Sequence, residues 1–584
     1  MDVLSLTKQE FHKRLSSHVE CIYGKEKSED IVNRILDVFV DLQPADLNVE
    51  AEFVNQAWDE GDIYLITYGN SFFADTQKPL HVLFKFLMKY MKGIVSTVHI
   101  LPFFPFSSDD GFAVIDYQQV NSELGDWDDV NCIAQQFDLM ADLVINHISS
   151  QSIWFQQFLN NKQPGSEYFI ELDDTDDIAK VVRPRASELL QTIESPVGNK
   201  KVWCTFSADQ VDLDFSNPDV FFEFVRILRF YMEQGVRTIR LDAVAFLWKQ
   251  LGTSCINLPQ THEIVKVLRL IIERYFPRAL FITETNIPNI ENLKYFGNSN
   301  EAHIIYNFSL PPLLLNAMWA GNSEYLVRWS MSLPPAPLGC TYLNFTASHD
   351  GIGLRPAEGM LSDSEIDSLV SGMQGFGGEV TSRAISDSGE RPYEINITWM
   401  SAMQGTAGGK DEFQIERFLC SQIVMLGLEG IPAFYIHSLL AGENDYEKLA
   451  VTQHKRSINR GQWDLEEVDS ILSDYTSNSC KVFYELRRLI KMRSKQAAFH
   501  PNATQYTLHL GQSVFGFWRQ SVNRDQSIFA IHNVTNSLQE ISLANINLIC
   551  TDTWIDLIAW DTIDLTGGVL ALEPYQCVWI TNKA

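Results

Sequence analysis

Short apolar runs, each closed by a polar residue, Gly or Pro, recur through the middle of this chain at helix-length intervals. Residues 63–68 form the first run, 94–101 the second and 143–145 part of a third that ends at Asn146-His147. Further runs lie near 236, 280, 303, 341 and 430, and residues 80–91 carry helical spacing. Runs apolar on both faces are the mark of buried parallel strands, and eight of them alternating with helices predict a (β/α)8 TIM barrel. Its expected extent is 61–147 and 223–490. Two intervals are too long for simple connections and predict excursions at the C-terminal face of the barrel. The first, 148–222, is polar and contains Asp173-Asp174-Thr175-Asp176-Asp177; the second, 351–410, is rich in Gly and Ser. Before the barrel, Val32, Ile35, Leu36, Phe39 and Val40 recur at helical spacing, so 1–60 reads as a helical N-terminal extension. After it the period changes to alternation, as in Val514-Phe515-Gly516-Phe517-Trp518, and 495–584 reads as a C-terminal antiparallel β domain.

Composition narrows the function. Hydrophobic residues are 45% and charged residues 20% of the 584, the balance of an ordinary globular protein. The formal net charge of −29 disfavours nucleic acid and anionic membranes as partners, whereas a neutral sugar is compatible with it. An anionic co-substrate then requires a local basic pocket. The nine cysteines are scattered, odd in number and lack a C-x-x-C pair, which argues against a disulfide framework or zinc knuckle and for a reducing, cytoplasmic setting. No basic n-region with an apolar core opens the chain and no run of 18 apolar residues crosses it, so neither export nor a membrane span is expected.

The polar residues that close the apolar runs carry the chemistry. Arg240 and Asp242 end the run near 236, Glu284 follows the run near 280, and His349-Asp350 follows the run near 341. Residues two apart on a strand share a face, so Arg240 can hold and direct the Asp242 carboxylate. A single Asp after an apolar strand is equally well an N-cap for the next helix. Three acids at successive strand tips fit glycoside chemistry, in which a retaining enzyme needs two carboxyls about 5–5.5 Å apart, one ionised and one protonated. Glu284, between Thr283 and Thr285 after an apolar strand, suits the protonated role. The histidines beside these acids read as hydrogen-bonding groups, and no metal is expected.

Asp142-x-x-x-Asn146-His147, Arg240-x-Asp242, Glu284 and His349-Asp350, in this order, resemble the α-amylase superfamily of retaining α-glycoside enzymes, glycoside hydrolase family 13. The likeness runs over about 60–580 and is closer to the sucrose phosphorylase subfamily. The stretches that carry it are His99-Ile100-Leu101-Pro102-Phe103-Phe104-Pro105-Phe106, Leu124-Gly125-Asp126-Trp127-Asp128-Asp129, Gly252-Thr253-Ser254-Cys255 and Ser348-His349-Asp350-Gly351-Ile352-Gly353. The resemblance implies Asp242 as nucleophile, Glu284 as acid and base, and Asp350 as the carboxylate that holds glucose hydroxyls. It implies a glucose subsite of Asp109, Phe112, His147, Arg240, His349 and Arg460, and a phosphate side of Arg185, in Arg183-Pro184-Arg185, with Tyr393. No cofactor is implied beyond inorganic phosphate as co-substrate, and the small-molecule partners are an α-glucoside and phosphate, acting on a monomer or homodimer.

Where sucrose phosphorylases carry Asp-Leu-Tyr-Gln, this chain has Arg391-Pro392-Tyr393-Glu394. Glu394 cannot donate hydrogen bonds when ionised, and Arg391 is expected to add positive charge on the acceptor side, as are Lys448, His454 and Lys455. The departure resembles the branch that includes glucosylglycerate, glucosylglycerol and sucrose 6′-phosphate phosphorylases, with glycerate favoured as the aglycone. A hydrolase or transglucosidase of the same superfamily and a catalytically silent sugar-binding barrel are the alternatives.

Overall fold

The eight apolar runs all become parallel strands: β1 (Tyr64–Thr67), β2 (Thr97–Ile100), β3 (Asp138–Val144), β4 (Val236–Asp242), β5 (Leu280–Thr283), β6 (Ile304–Tyr306), β7 (Thr341–Phe345) and β8 (Ile431–Tyr435). Each pairs with its neighbours in sequence and β8 pairs with β1, so the sheet closes into a TIM barrel. The computed structural model describes residues 6–43, 57–173, 175–185, 187–385, 389–546, 548, 553–564 and 566–583. Nearly every strand residue is buried, because core side chains fill one face and helices cover the other. The register sets Asp142 of β3 beside Arg240 of β4, so two charged groups share one level of the barrel.

The connections after β3 and β7 carry secondary structure of their own. After β3, strand His147–Ser149 pairs antiparallel with Gln210–Asp212, and Leu190–Ile193 pairs with Lys200–Trp203. After β7, Ile352–Gly353 joins the hairpin of Glu379–Ile385 and Gly389–Asn396. Both excursions leave the C-terminal ends of the strands and wall the same end of the barrel.

The N-terminal pattern forms α1 (Lys8–Tyr23), opened by a Thr7–Glu10 capping box, and α2 (Lys25–Val38). They lie against the barrel helices Pro218–Glu233 and Pro259–Tyr275. His18 Nδ1 is 2.6 Å from Glu263 Oε2, Arg274 donates to the Leu6 carbonyl at 3.0 Å, and the Phe39 ring stacks on Tyr275 at 4.8 Å. Val32, Ile35 and Phe39 are buried as the spacing predicts, but Val40 is exposed because α2 ends before it. Residues 44–56, the rest of the predicted extension, are outside the described residues. At the other end of the chain a six-stranded sheet is built around Val514–Gln520, Ser527–Asn533 and Cys577–Thr581, all antiparallel. Among the described residues all eight cysteines are free, and no helix is long and apolar enough to cross a membrane.

Candidate active site

β4 ends at Asp242, and Arg240 lies two residues back on the same face. Its Nη1 donates to Asp242 Oδ1 at 2.6 Å and to Asp142 Oδ1 at 2.5 Å, while Asp142 Oδ2 is 2.7 Å from His99 Nε2. The residue after Asp242, Ala243, adopts a left-handed conformation (φ 52°, ψ 27°). That turn aims the Ala243 N–H at Glu284 Oε2, 2.9 Å away. Glu284 follows β5 and its own N–H donates to the Leu241 carbonyl at 3.1 Å. The turn that closes the Asp242 strand therefore also orients the second carboxylate. Asp350, beyond β7, meets Arg456 Nη1 at 2.5 Å and His349 Nε2 at 3.5 Å.

The loop after β2 supplies the floor. Gly111 has φ +117°, and a Cβ there would come within 2.5 Å of the Pro102 carbonyl oxygen, so this tight turn requires glycine. It presents Phe112, whose ring stacks on His349 with centroids 4.8 Å apart. His147 Nε2 lies 3.1 Å from the Phe112 carbonyl oxygen. Arg460 donates from Nε to the His349 carbonyl at 2.9 Å, and its Nη1 reaches Asp110 Oδ2 at 2.7 Å and Asp109 Oδ1 at 3.4 Å. On the opposite wall Arg185 Nη1 is 3.7 Å from Glu394 Oε2, and its guanidinium stands 5.9 Å from the Tyr393 ring centroid. Asp242, Glu284, Asp350, Asp109, Phe112, His147, His349, Arg185, Tyr393 and Glu394 all line one cleft. Arg240 and Arg460 are buried and hold the lining in place.

A family model described as Alpha amylase, catalytic domain, matches residues 87–331. The chain is 39% identical to the glucosylglycerate phosphorylase of Spirochaeta thermophila over 97% of this chain and 98% of the other. It is 30% identical to the sucrose phosphorylase of Bifidobacterium adolescentis over 78% of this chain and 90% of the other. The chain belongs to the sucrose phosphorylase subfamily of the α-amylase superfamily. Among solved structures, the sucrose 6F-phosphate phosphorylase of Thermoanaerobacter thermosaccharolyticum superposes with a TM-score of 0.70 at 25% identity, covering 88% of this chain and 98% of that one.

The cations expected on the acceptor side do not line the cleft. Arg391 does not line the cleft. It lies on the outer half of its hairpin, half exposed, with Nη2 3.2 Å from Asp363 Oδ2. The hairpin enters the body of the protein only at Tyr393 and Glu394, both buried. Lys448 and Lys455 are likewise engaged, donating to the Arg460 carbonyl at 2.5 Å and the Val380 carbonyl at 2.6 Å. His454 is half exposed at 4.0 Å from Asp109. The cation that does reach Glu394 is Arg456, which binds it through Nη2 at 2.6 Å and Nε at 3.1 Å while holding Asp350 with Nη1. Arg456, Gln210 and Asn286 line the cleft without having been singled out from the sequence. The i, i+4 spacing of Arg456 from Arg460 on one short segment is the one local signal that could have drawn attention to it.

Enclosure by these walls sets the charges. It pushes the Asp242 and Glu284 carboxyls up; Arg240 pulls both down, and the Glu284 charge pushes Asp242 up further. Two carboxyls coupled in this way titrate as a pair. The direct guanidinium contact belongs to Asp242, so the charge goes there and the shared proton to Glu284. Enclosure would also push Asp350 up, but the Arg456, Arg240 and Arg460 guanidinia together hold it well below the usual carboxylate range. Burial pushes His147 down to about 4 and His349 to about 3, so both are neutral hydrogen-bonding groups. Among the described residues no cluster of His, Cys, Asp and Glu is arranged to hold a metal ion.

Proposed function

We propose that this protein is a retaining α-glucoside phosphorylase, with glucosylglycerate as its preferred glucoside. The Asp242 carboxylate attacks the anomeric carbon as the bond to the aglycone oxygen breaks, and Glu284 gives that oxygen its proton. A β-glucosyl ester on Asp242 results. A phosphate oxygen then attacks the same carbon, its proton passes to Glu284, and α-glucose 1-phosphate leaves with the Asp242 carboxylate restored. Asp350, Asp109, His147 and His349 hold the sugar, with Phe112 as an apolar wall. No cofactor takes part beyond phosphate, and the enzyme works as a monomer or homodimer in a reducing cytoplasm.

One observation carries the phosphorolytic reading. Arg185 faces the cleft with only a 3.7 Å approach to Glu394, because Arg456 already binds that carboxylate in two places. Its fork is therefore available to a second anion beside Tyr393. The aglycone rests on likeness: the relative at 39% identity is named for glucosylglycerate. The test measures products from glucosylglycerate, glucosylglycerol and sucrose, each with and without phosphate. Glucose 1-phosphate should form only with phosphate and fastest from glucosylglycerate. Free glucose released at the same rate in both conditions would replace a phosphorylase with a hydrolase.

A further inference from the structure

The cations around the acceptor wall are nearly all engaged. Arg456 is divided between Asp350 and Glu394, Arg383 is on Glu358, Arg391 on Asp363 and Lys455 on a backbone carbonyl. Arg355 differs. It is half-buried, its side chain makes no ion pair or hydrogen bond among the described residues, and its Nε is sealed from water without an acceptor. A guanidinium held in that condition calls for an acceptor from outside the chain.

The backbone places it beside the site. Arg355 opens the turn Arg355–Ala357, directly after the strand in which Gly353 pairs with Glu394. The Leu354 N–H donates to the Tyr393 carbonyl at 2.9 Å, and Ser309 Oγ fixes the turn through the Pro356 carbonyl at 3.1 Å. Gly353 is pressed against Asn286 of the cleft lining, where a Cβ would come within 2.7 Å of the carboxamide. The charge of Arg355 is felt there as well. Burial pushes the Tyr393 phenol up to about 12 and Glu394 adds to the rise, while Arg185 and Arg355 both pull it back. Tyr393 thus feels two guanidinia, one from each excursion.

We propose that Arg355 anchors the carboxylate of the aglycone, a small hydroxy acid of the glycerate type, by turning its side chain from just outside the present lining into the cleft beside Tyr393. This rests on the phosphorylase reading and divides the two anions: phosphate to Arg185, the aglycone carboxylate to Arg355. The pairing is guanidinium with carboxylate, charge-assisted and bidentate.

The experiment runs the reaction backwards, from glucose 1-phosphate, with glycerate or glycerol as acceptor, in wild type, Arg355→Gln and Arg355→Lys. Arg355→Gln should raise the KM for glycerate about 10-fold or more and leave that for glycerol, and that for phosphate measured in the phosphorolytic direction, within about twofold. Arg355→Lys should recover part of the loss. Unchanged use of glycerate overturns the assignment. So does an equal loss with glycerol, which would mark a structural role, or a parallel rise in the KM for phosphate, which would mark one shared anion site. Wild-type enzyme that makes no glucose 1-phosphate from any glucoside would sink the phosphorylase reading itself, before any variant is examined.

Discussion

Glu284 and Asp242 sit at neighbouring strand tips yet keep different company. Asp242 takes a 2.6 Å bond from a buried guanidinium, and Glu284 takes one from the Ala243 N–H. A carboxyl that keeps its proton should matter most when the leaving oxygen needs it. Glu284→Gln is therefore expected to slow cleavage of an unactivated glucoside by about 10²–10⁴-fold and that of α-glucosyl fluoride far less, as initial rates on the two substrates will show. Equal losses would make Glu284 a positioning group. Arg240, Asp242 and Glu284 were legible in the sequence because each closes an apolar run. Arg456 was not: its partner Glu394 lies 62 residues away, and nothing local marks such a pair. Arg391 was misplaced for the converse reason. It stands in one tetrad with Tyr393 and Glu394, and the linear order does not say that the hairpin turns into solvent between them.

At the level of elements, the barrel strands were legible because a strand covered on both faces must be apolar throughout, and only the tips are free to be polar. The C-terminal strands were legible from alternation. The small sheets of the excursions were not. Leu190–Ile193 is only half-buried, and the hairpin arm Gly389–Asn396 begins Gly-Glu-Arg-Pro, so neither shows a clear period. These polar segments nevertheless supply Arg185, Tyr393 and Glu394 to the cleft. The predicted helix over 80–91 forms, but passes from α into a wider π turn at Leu87–Met91. The N-terminal pair α1 and α2 covers the barrel helices Pro218–Glu233 and Pro259–Tyr275, and its contacts are those of packing.

Over the whole molecule the charge of −29 is offset at the cleft by Arg185, Arg240, Arg456 and Arg460. Burial also sets the response to acid. It pushes His147, His303 and His532 down to about 4 and His349 and His437 to about 3. The unfolded chain protonates these rings near pH ~6.5, where the native state does not. Stability should accordingly be level above about pH 6.5 and fall from there towards pH 4, by up to about 1.4 kcal/mol per pH unit for each ring. The carboxylates held low, Asp350 and Asp109, lose their contribution only at lower pH, through the ordinary carboxylate range. Urea midpoints that stay constant down to about pH 5 would contradict this account of the core. The central claim concerns the fate of the glucosyl-enzyme, and the most direct measurement is the ratio of glucose 1-phosphate to free glucose made by Arg185→Ala at fixed phosphate. The ratio should fall about 10-fold or more, with a matching rise in the KM for phosphate, while aglycone release at saturating glucoside changes little. A ratio and a KM both equal to those of the wild type would contradict capture of the intermediate by phosphate at Arg185.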